Sequence, residues 1–133
     1  MKNMANKMLA LGILAAASLL VASPAVAHHA WNGYDMVNET TVKGTITNFD
    51  WANPHVWMSF DVRDDKGNVQ HWDAGGPSPS RMQNTGWSKD TLKPGDEIVA
   101  VGHKIKDGTF KLRLDKVVVP GGKSLVCYAA PGA

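Results

Sequence analysis

The chain has 133 residues, 14 basic and 12 acidic side chains, and one cysteine, Cys127. That length suits one modest hydrophobic core and excludes two ordinary domains. A lone cysteine excludes an internal disulfide, and the small net charge of +2 excludes the strong cationic excess of a general nucleic-acid binder.

Residues 1–27 carry the three parts of an export signal. Lys2 and Lys7 charge a short leader, Met8 to Val21 form an apolar run, and Ala25-x-Ala27 offers small side chains to a signal peptidase. The run, about 14 residues, falls short of the roughly 20 that cross a bilayer. No cysteine near the cut offers a lipid attachment, so no stable membrane anchor is expected after cleavage. Cutting after Ala27 removes two basic residues and no acidic ones, leaving a neutral protein that begins His28-His29 and works in the periplasm or outside the cell. Nucleic acid is not an expected partner there.

Residues 28–40 are polar without sustained periodicity and read as an amino-terminal arm. A β domain follows over residues 41–128, with a short tail at 129–133. Val42 to Phe49 is the first strand, with Gly44 marking a bulge or a tight bend. Asp50 to Pro54 turns the chain. His55 to Val62 is the clearest strand, placing Val56, Met58, Phe60 and Val62 inward and His55, Trp57, Ser59 and Asp61 on the other face. Asp64 to Asn68 forms a hairpin turn into a third strand from Val69 to about Asp73. After the breaker cluster Ala74 to Pro79, Ser80 to Thr85 reads as one or two helical turns ended by Gly86, with Met82 available to the core. Leu92 to Asp96 is a tight turn before a fourth strand, Glu97 to His103. In the fifth strand Phe110, Leu112 and Leu114 alternate inward, and continuing that alternation would bury Lys116 and expose Val117. A bulge near Asp115 or a strand covered on both faces resolves the conflict. Gly121-Gly122 precedes a possible last strand, Ser124 to Tyr128.

Five or six strands with a short helical insert between the third and fourth match an all-β Greek-key barrel of the oligonucleotide/oligosaccharide-binding type. Closure removes exposed sheet edges, which suits a small exported domain without disulfides. Several segments also carry a resemblance: the mature start Ala27-His28-His29-Ala30-Trp31, Trp51-Ala52-Asn53-Pro54-His55-Val56-Trp57, Gly86-Trp87-Ser88-Lys89-Asp90, and Leu92-Lys93-Pro94-Gly95-Asp96. Together they resemble a family of short exported bacterial proteins classified as a domain of unknown function. The resemblance covers nearly all of residues 27–125 and implies an exported β-rich module, without an activity. The chain departs from the family's pattern after Trp72: members often carry a glutamate a few residues on, and here Asp73 and Ala74-Gly75-Gly76 follow.

Two constellations bear on chemistry. A mature His28 would offer its α-amine and ring Nδ1 to one ion, and a further imidazole from His29, His55, His71 or His103 would make a three-nitrogen set suited to copper or zinc. The ordinary alternative is a weak, adventitious terminus. The second constellation is aromatic. Five tryptophans crowd a small core, so one or two are expected at a binding surface. His55, Trp57, His71 and Trp72 are the candidate ligand-binding residues, with His55 and His71 brought together across the second and third strands. Each histidine could equally cap a turn or bond surface backbone. Asp61 and Asp73 could pair as carboxylates across strands, as surface carboxylates often do without catalysis, and no nucleophile elbow, phosphate loop or closely spaced metal motif appears, so no catalytic residue is assigned.

The sequence thus points first to a periplasmic binding or accessory module that recognises a protein partner or small ligand through a Trp/His surface. The alternatives are a copper- or zinc-binding protein using His28 and His29, or a structural envelope component. Intact-mass measurement of protein recovered from the cell envelope should give a chain beginning at His28; any other start would overturn the predicted cut.

Overall fold

The computed structural model describes residues 31–128. Six strands carry the fold: β1 (Thr40–Asp50), β2 (Trp57–Arg63), β3 (Val69–Gly75), β4 (Glu97–Lys104), β5 (Lys111–Val118) and β6 (Ser124–Val126), with helix α1 (Pro79–Gln83) between β3 and β4. The sheet runs β3-β2-β1-β4-β5-β6, and a parallel pairing of β3 with β5 closes the first five strands into a barrel. This is the expected barrel, with its helical insert in the expected place and β6 as an extra edge strand. No helix among the described residues is long and apolar enough to cross a membrane.

The alternation along each strand explains the core. Val42 and Ile46 of β1, Met58 and Phe60 of β2, Trp72 and Ala74 of β3, Ile98 and Ala100 of β4, and Leu112, Leu114 and Val117 of β5 are all buried within one cluster. Val56 from the β1–β2 loop, Met82 from α1, Trp87 and Leu92 cover it from the ends. Helix α1 is too short to stand alone. Its buried residue is Met82, which plugs the barrel as the sequence suggested.

Glycine solves two close crossings. A Cβ at Gly44 would lie 2.6 Å from the Phe60 ring and 2.7 Å from the Asp61 carbonyl oxygen, so this position is a close approach of β1 to β2; the bulge in β1 falls between Ile46 and Asn48. At Gly102 a Cβ would sit 1.9 Å from the carbonyl oxygen of Arg113. That crossing stands opposite the second irregularity, where Val101 pairs with Lys116 and Gly102 with Leu114, leaving Asp115 as the extra residue of β5. The bulge resolves the conflict seen in the sequence: Lys116 is exposed and Val117 buried. The displaced Asp115 carbonyl accepts a 2.7 Å hydrogen bond from the Cys127 amide, which docks the chain beyond β6.

Phe110 departs from the expected inward set. It precedes β5 and is exposed at the barrel rim, its ring 5.3 Å from Trp72 and under the Lys104 ammonium at 5.5 Å. Its ring keeps the inward direction, packed on buried Trp72, and its exposure comes from its place at the open rim, one residue before β5 begins.

Gly102→Ala should destabilise the fold by at least about 2 kcal/mol, toward the upper part of the range for overpacking, because the blocking atom is backbone and cannot rotate away. A urea unfolding midpoint equal to that of the unaltered protein would contradict this placement of β4 against β5.

Candidate functional site

The outward faces of β2 and β3 and the segment that precedes β1 build the site. The hairpin turn at Asp64 to Asn68 sets the register, pairing Trp57 with Gly75, Ser59 with Asp73 and Asp61 with His71. Within that turn the Asp64 carboxylate accepts from the Lys66 and Asn68 amides, both at 2.9 Å, which fixes its shape.

At one end of this face four rings converge. Trp31 lies with its ring centroid 5.1 Å from His55, 5.5 Å from Tyr34 and 6.3 Å from Trp57. The two indoles rest on bare backbone: a Cβ on Gly75 would come within 2.8 Å of the Trp31 ring and 3.0 Å of the Trp57 ring. Trp31, His55 and Trp57 are each part-exposed, whereas Tyr34 is buried. Tyr34 is held by the barrel, through a bridge to Ile105 and through the neighbouring Asp35 amide, which donates to the Lys104 carbonyl at 2.8 Å. Burial, reinforced by the negative charges of Asp107 and Asp73, pushes the Tyr34 hydroxyl above its ordinary pKa.

His55 is oriented by its Nδ1, 3.0 Å from the Gly76 carbonyl oxygen. A carbonyl can only accept, so Nδ1 carries the proton and, in the neutral ring, the lone pair stands on Nε2. No described residue takes a hydrogen bond with that Nε2.

The face beyond the rings is polar. Ser59 donates to Asp73 at 2.7 Å, and His71 Nδ1 lies 2.6 Å from Asp61 on a side chain 83% exposed. Asp61 and Asp73 therefore stand diagonally, each engaged with a different cross-strand neighbour. The Asp107 carboxyl, bonded by the Thr109 hydroxyl and amide, is held below the usual carboxylate range.

Two expectations need correction. Trp72 does not share a surface with Trp57: it is 6% exposed and stacks on Phe60 at 6.3 Å in the core, with its indole N–H donating to Gln70 at 3.1 Å. Alternation dictates this, since His71 and Asp73 on either side point outward. His55 and His71 do not meet either, because His71 faces Asp61, six residues along the chain from His55 and about 20 Å away at strand rise. His28 and His29 lie outside the described residues.

His103 belongs to a separate network. Its Nδ1 faces the carbonyl oxygens of Asp35 and Asn38 at 2.9 and 3.1 Å, and its Nε2 faces Asp115 at 2.9 Å. Arg113 pairs with the same Asp115 and lies 4.1 Å over the Tyr128 ring. No group of three His, Cys, Asp or Glu side chains placed to hold a metal occurs among the described residues.

With the geometry in place, comparison with known proteins gives the lineage. The profile of a family of unknown function (DUF6152) matches residues 16–112, most of the chain. The chain belongs to that family. No curated protein matches it. One solved structure similar to this DUF6152 protein is the ZRD-deleted mutant of TiaS in complex with agmatine, at 17% identity and a TM-score of 0.44. The alignment covers 72% of this chain and 23% of that one, so the chain spans less than a quarter of that protein's length.

Trp31 is the site residue that the sequence reading did not assign. Its segment has no periodicity, and the signal that could have found it is Gly75, the side-chain-free end of β3, where a ring can lie on the strand.

Cys127 lies away from this cluster in the DUF6152 fold, buried in the core, and burial pushes its thiol up from 9.0 to about 12. A raised thiol stabilises the protonated native state, so its contribution is complete below pH 9.0 and is lost as pH rises toward about 12. A thiol reagent at pH 8 should leave the native protein unlabelled and modify it in urea. Rapid labelling without denaturant would contradict the burial.

Proposed function

We propose that this DUF6152 protein is an exported recognition module whose working face is the ring cluster of Trp31, His55 and Trp57. The observation that carries this reading is the convergence of part-exposed Trp31 with Trp57 and His55, whereas Trp51, also part-exposed, packs on Phe49. Trp72 and Trp87 are buried with their N–H groups satisfied inside the protein, at 3.1 Å by Gln70 and at 2.9 Å by the Val126 carbonyl. Trp31 and Trp57 instead lie part-exposed on the backbone of β3, beside a histidine whose ring is fixed by one hydrogen bond. Large, partly dry ring surface next to a directional polar atom is what a recognition site for a protein partner or a planar ligand requires. The Ser59–Asp73 pair and the carboxylates near Tyr34 supply a polar, acidic rim. The leader supports placing this module in the periplasm or outside the cell.

A photo-crosslinking side chain at Asn32, exposed beside Trp31, tests the face in cells, with a matching probe at exposed Lys123 on the β5–β6 turn as the control. The Asn32 probe should give a discrete adduct, read on gels for a protein partner and by intact mass for a small ligand, and the Lys123 probe should not. A tryptophan at the centre of a recognition surface contributes about 2 kcal/mol or more, so Trp57→Ala should lower the adduct yield at least roughly tenfold. No adduct, or one indifferent to Trp57→Ala in a variant that melts cooperatively, would overturn the reading.

A further inference from the structure

We infer that the partner of the ring cluster is a protein segment that docks through an arginine, its guanidinium lying on the Trp57 indole between the carboxylates of Asp50 and Asp73. The inference rests on the recognition reading and names the partner's chemistry.

Strand register places the two carboxylates. Asp50 on β1 stands directly opposite Trp57, and Asp73 on β3 stands opposite Ser59, diagonal to Trp57. Directly opposed residues have Cβ atoms about 5 Å apart and diagonal ones about 7–8 Å, so both acids reach a group stacked on the indole, one from each neighbouring strand. Both side chains are exposed. Neither has an ion-pair partner among the described residues, where the ion pairs engage Asp61, Asp90, Asp96 and Asp115. Asp73 accepts only from the neutral Ser59 hydroxyl.

The cations nearest in the fold are committed elsewhere. Arg113, opposite Gly75 on the parallel ladder, turns to Asp115 and the Tyr128 ring. Lys104 lies over the Trp72 and Phe110 rings at 5.4 and 5.5 Å. Lys111 is opposite Asp73 without forming an ion pair with it, and its charge helps to hold Asp107 low. Lys43 and Arg63 line a groove with Glu97 at the far end of the sheet, about 20 Å from Trp57 along β2. The end of the face that carries the rings is therefore left with uncompensated negative charge, complementary to a cation.

Arginine fits this end better than an ammonium does. Its planar guanidinium stacks on an aromatic face, and its fork of N–H donors serves carboxylates on two sides, whereas an ammonium is a compact, strongly hydrated point charge. A protein segment fits better than a free small cation. The surface grooves lie elsewhere, under Lys43 and Arg63 and beside Val118 to Gly122, so a group on Trp57 needs a wider interface around it to be held.

Isotope-labelled mature protein is titrated at low salt with a short peptide of alternating glycine and arginine, and with peptides carrying lysine or citrulline in place of arginine, following the Trp57 indole N–H by NMR. The arginine peptide should move that signal and bind more tightly than the lysine peptide, with the neutral citrulline peptide weakest. One exposed ion pair is worth up to about fivefold in affinity, so Asp50→Asn combined with Asp73→Asn should weaken arginine-peptide binding at least roughly fivefold. Asp65→Asn, exposed in the turn at the other end of β2, should leave it unchanged. No binding of the arginine peptide, equal binding of the lysine or citrulline peptide, an affinity unmoved by the double substitution, or an equal loss in Asp65→Asn would each overturn the inference. An Asn32 adduct of small-molecule mass would overturn it too. In cells, an Asn32 adduct that falls with Trp57→Ala but ignores the two aspartate changes would remove the arginine and leave the recognition reading standing, so the two failures are told apart.

Discussion

Closure of the barrel is the constraint on which the rest depends. A five-stranded sheet wraps around a core filled by Phe60, Trp72, Met58, Ile46 and the leucines of β5, and it can close only if some strands pass nearer to one another than a Cβ permits. Gly44 and Gly102 supply those passages, and the extra residue at Asp115 returns β5 to phase after the second one. With the circle complete, β2 and β3 have one wet face, and that face is the place where side chains are left over for recognition.

Much of this was legible because period-two alternation is a strong signal when one face is dry. Val56 just before β2, Met58 and Phe60 within it, Met82 in the helical insert, and the conflict between Lys116 and Val117 all led to the correct arrangement. Placing Trp72 on a ligand surface ran against that same alternation, since Trp72 lies between His71 and Asp73, which share the opposite, exposed face. The proposed meeting of His55 with His71 failed on register. Alternation settles which face a residue occupies but not what it faces; a turn centred on Lys66 pairs residues equidistant from it, and that puts Asp61 opposite His71.

Trp31 was hidden for a different reason. Its position depends on tertiary contacts of an aperiodic segment: the bridge of Tyr34 to Ile105, the Asp35 amide on Lys104, and the His103 ring gripping the carbonyls of Asp35 and Asn38. None of these is encoded in local spacing. They also make His103, which the sequence offered as a ligand, a structural residue that joins the arm to Asp115, the residue displaced by the β5 bulge.

The bonds at Tyr34 and Asp35 make the arm a ruler. They fix its zero mark at the end of β4, so Trp31 is positioned by counting three residues back from Tyr34. Each residue inserted or deleted between Trp31 and Tyr34 shifts the indole by up to about 3.5 Å, more than the width of a hydrogen bond. Segment length therefore becomes a heritable geometric variable of its own, tunable without altering a single side chain of the barrel.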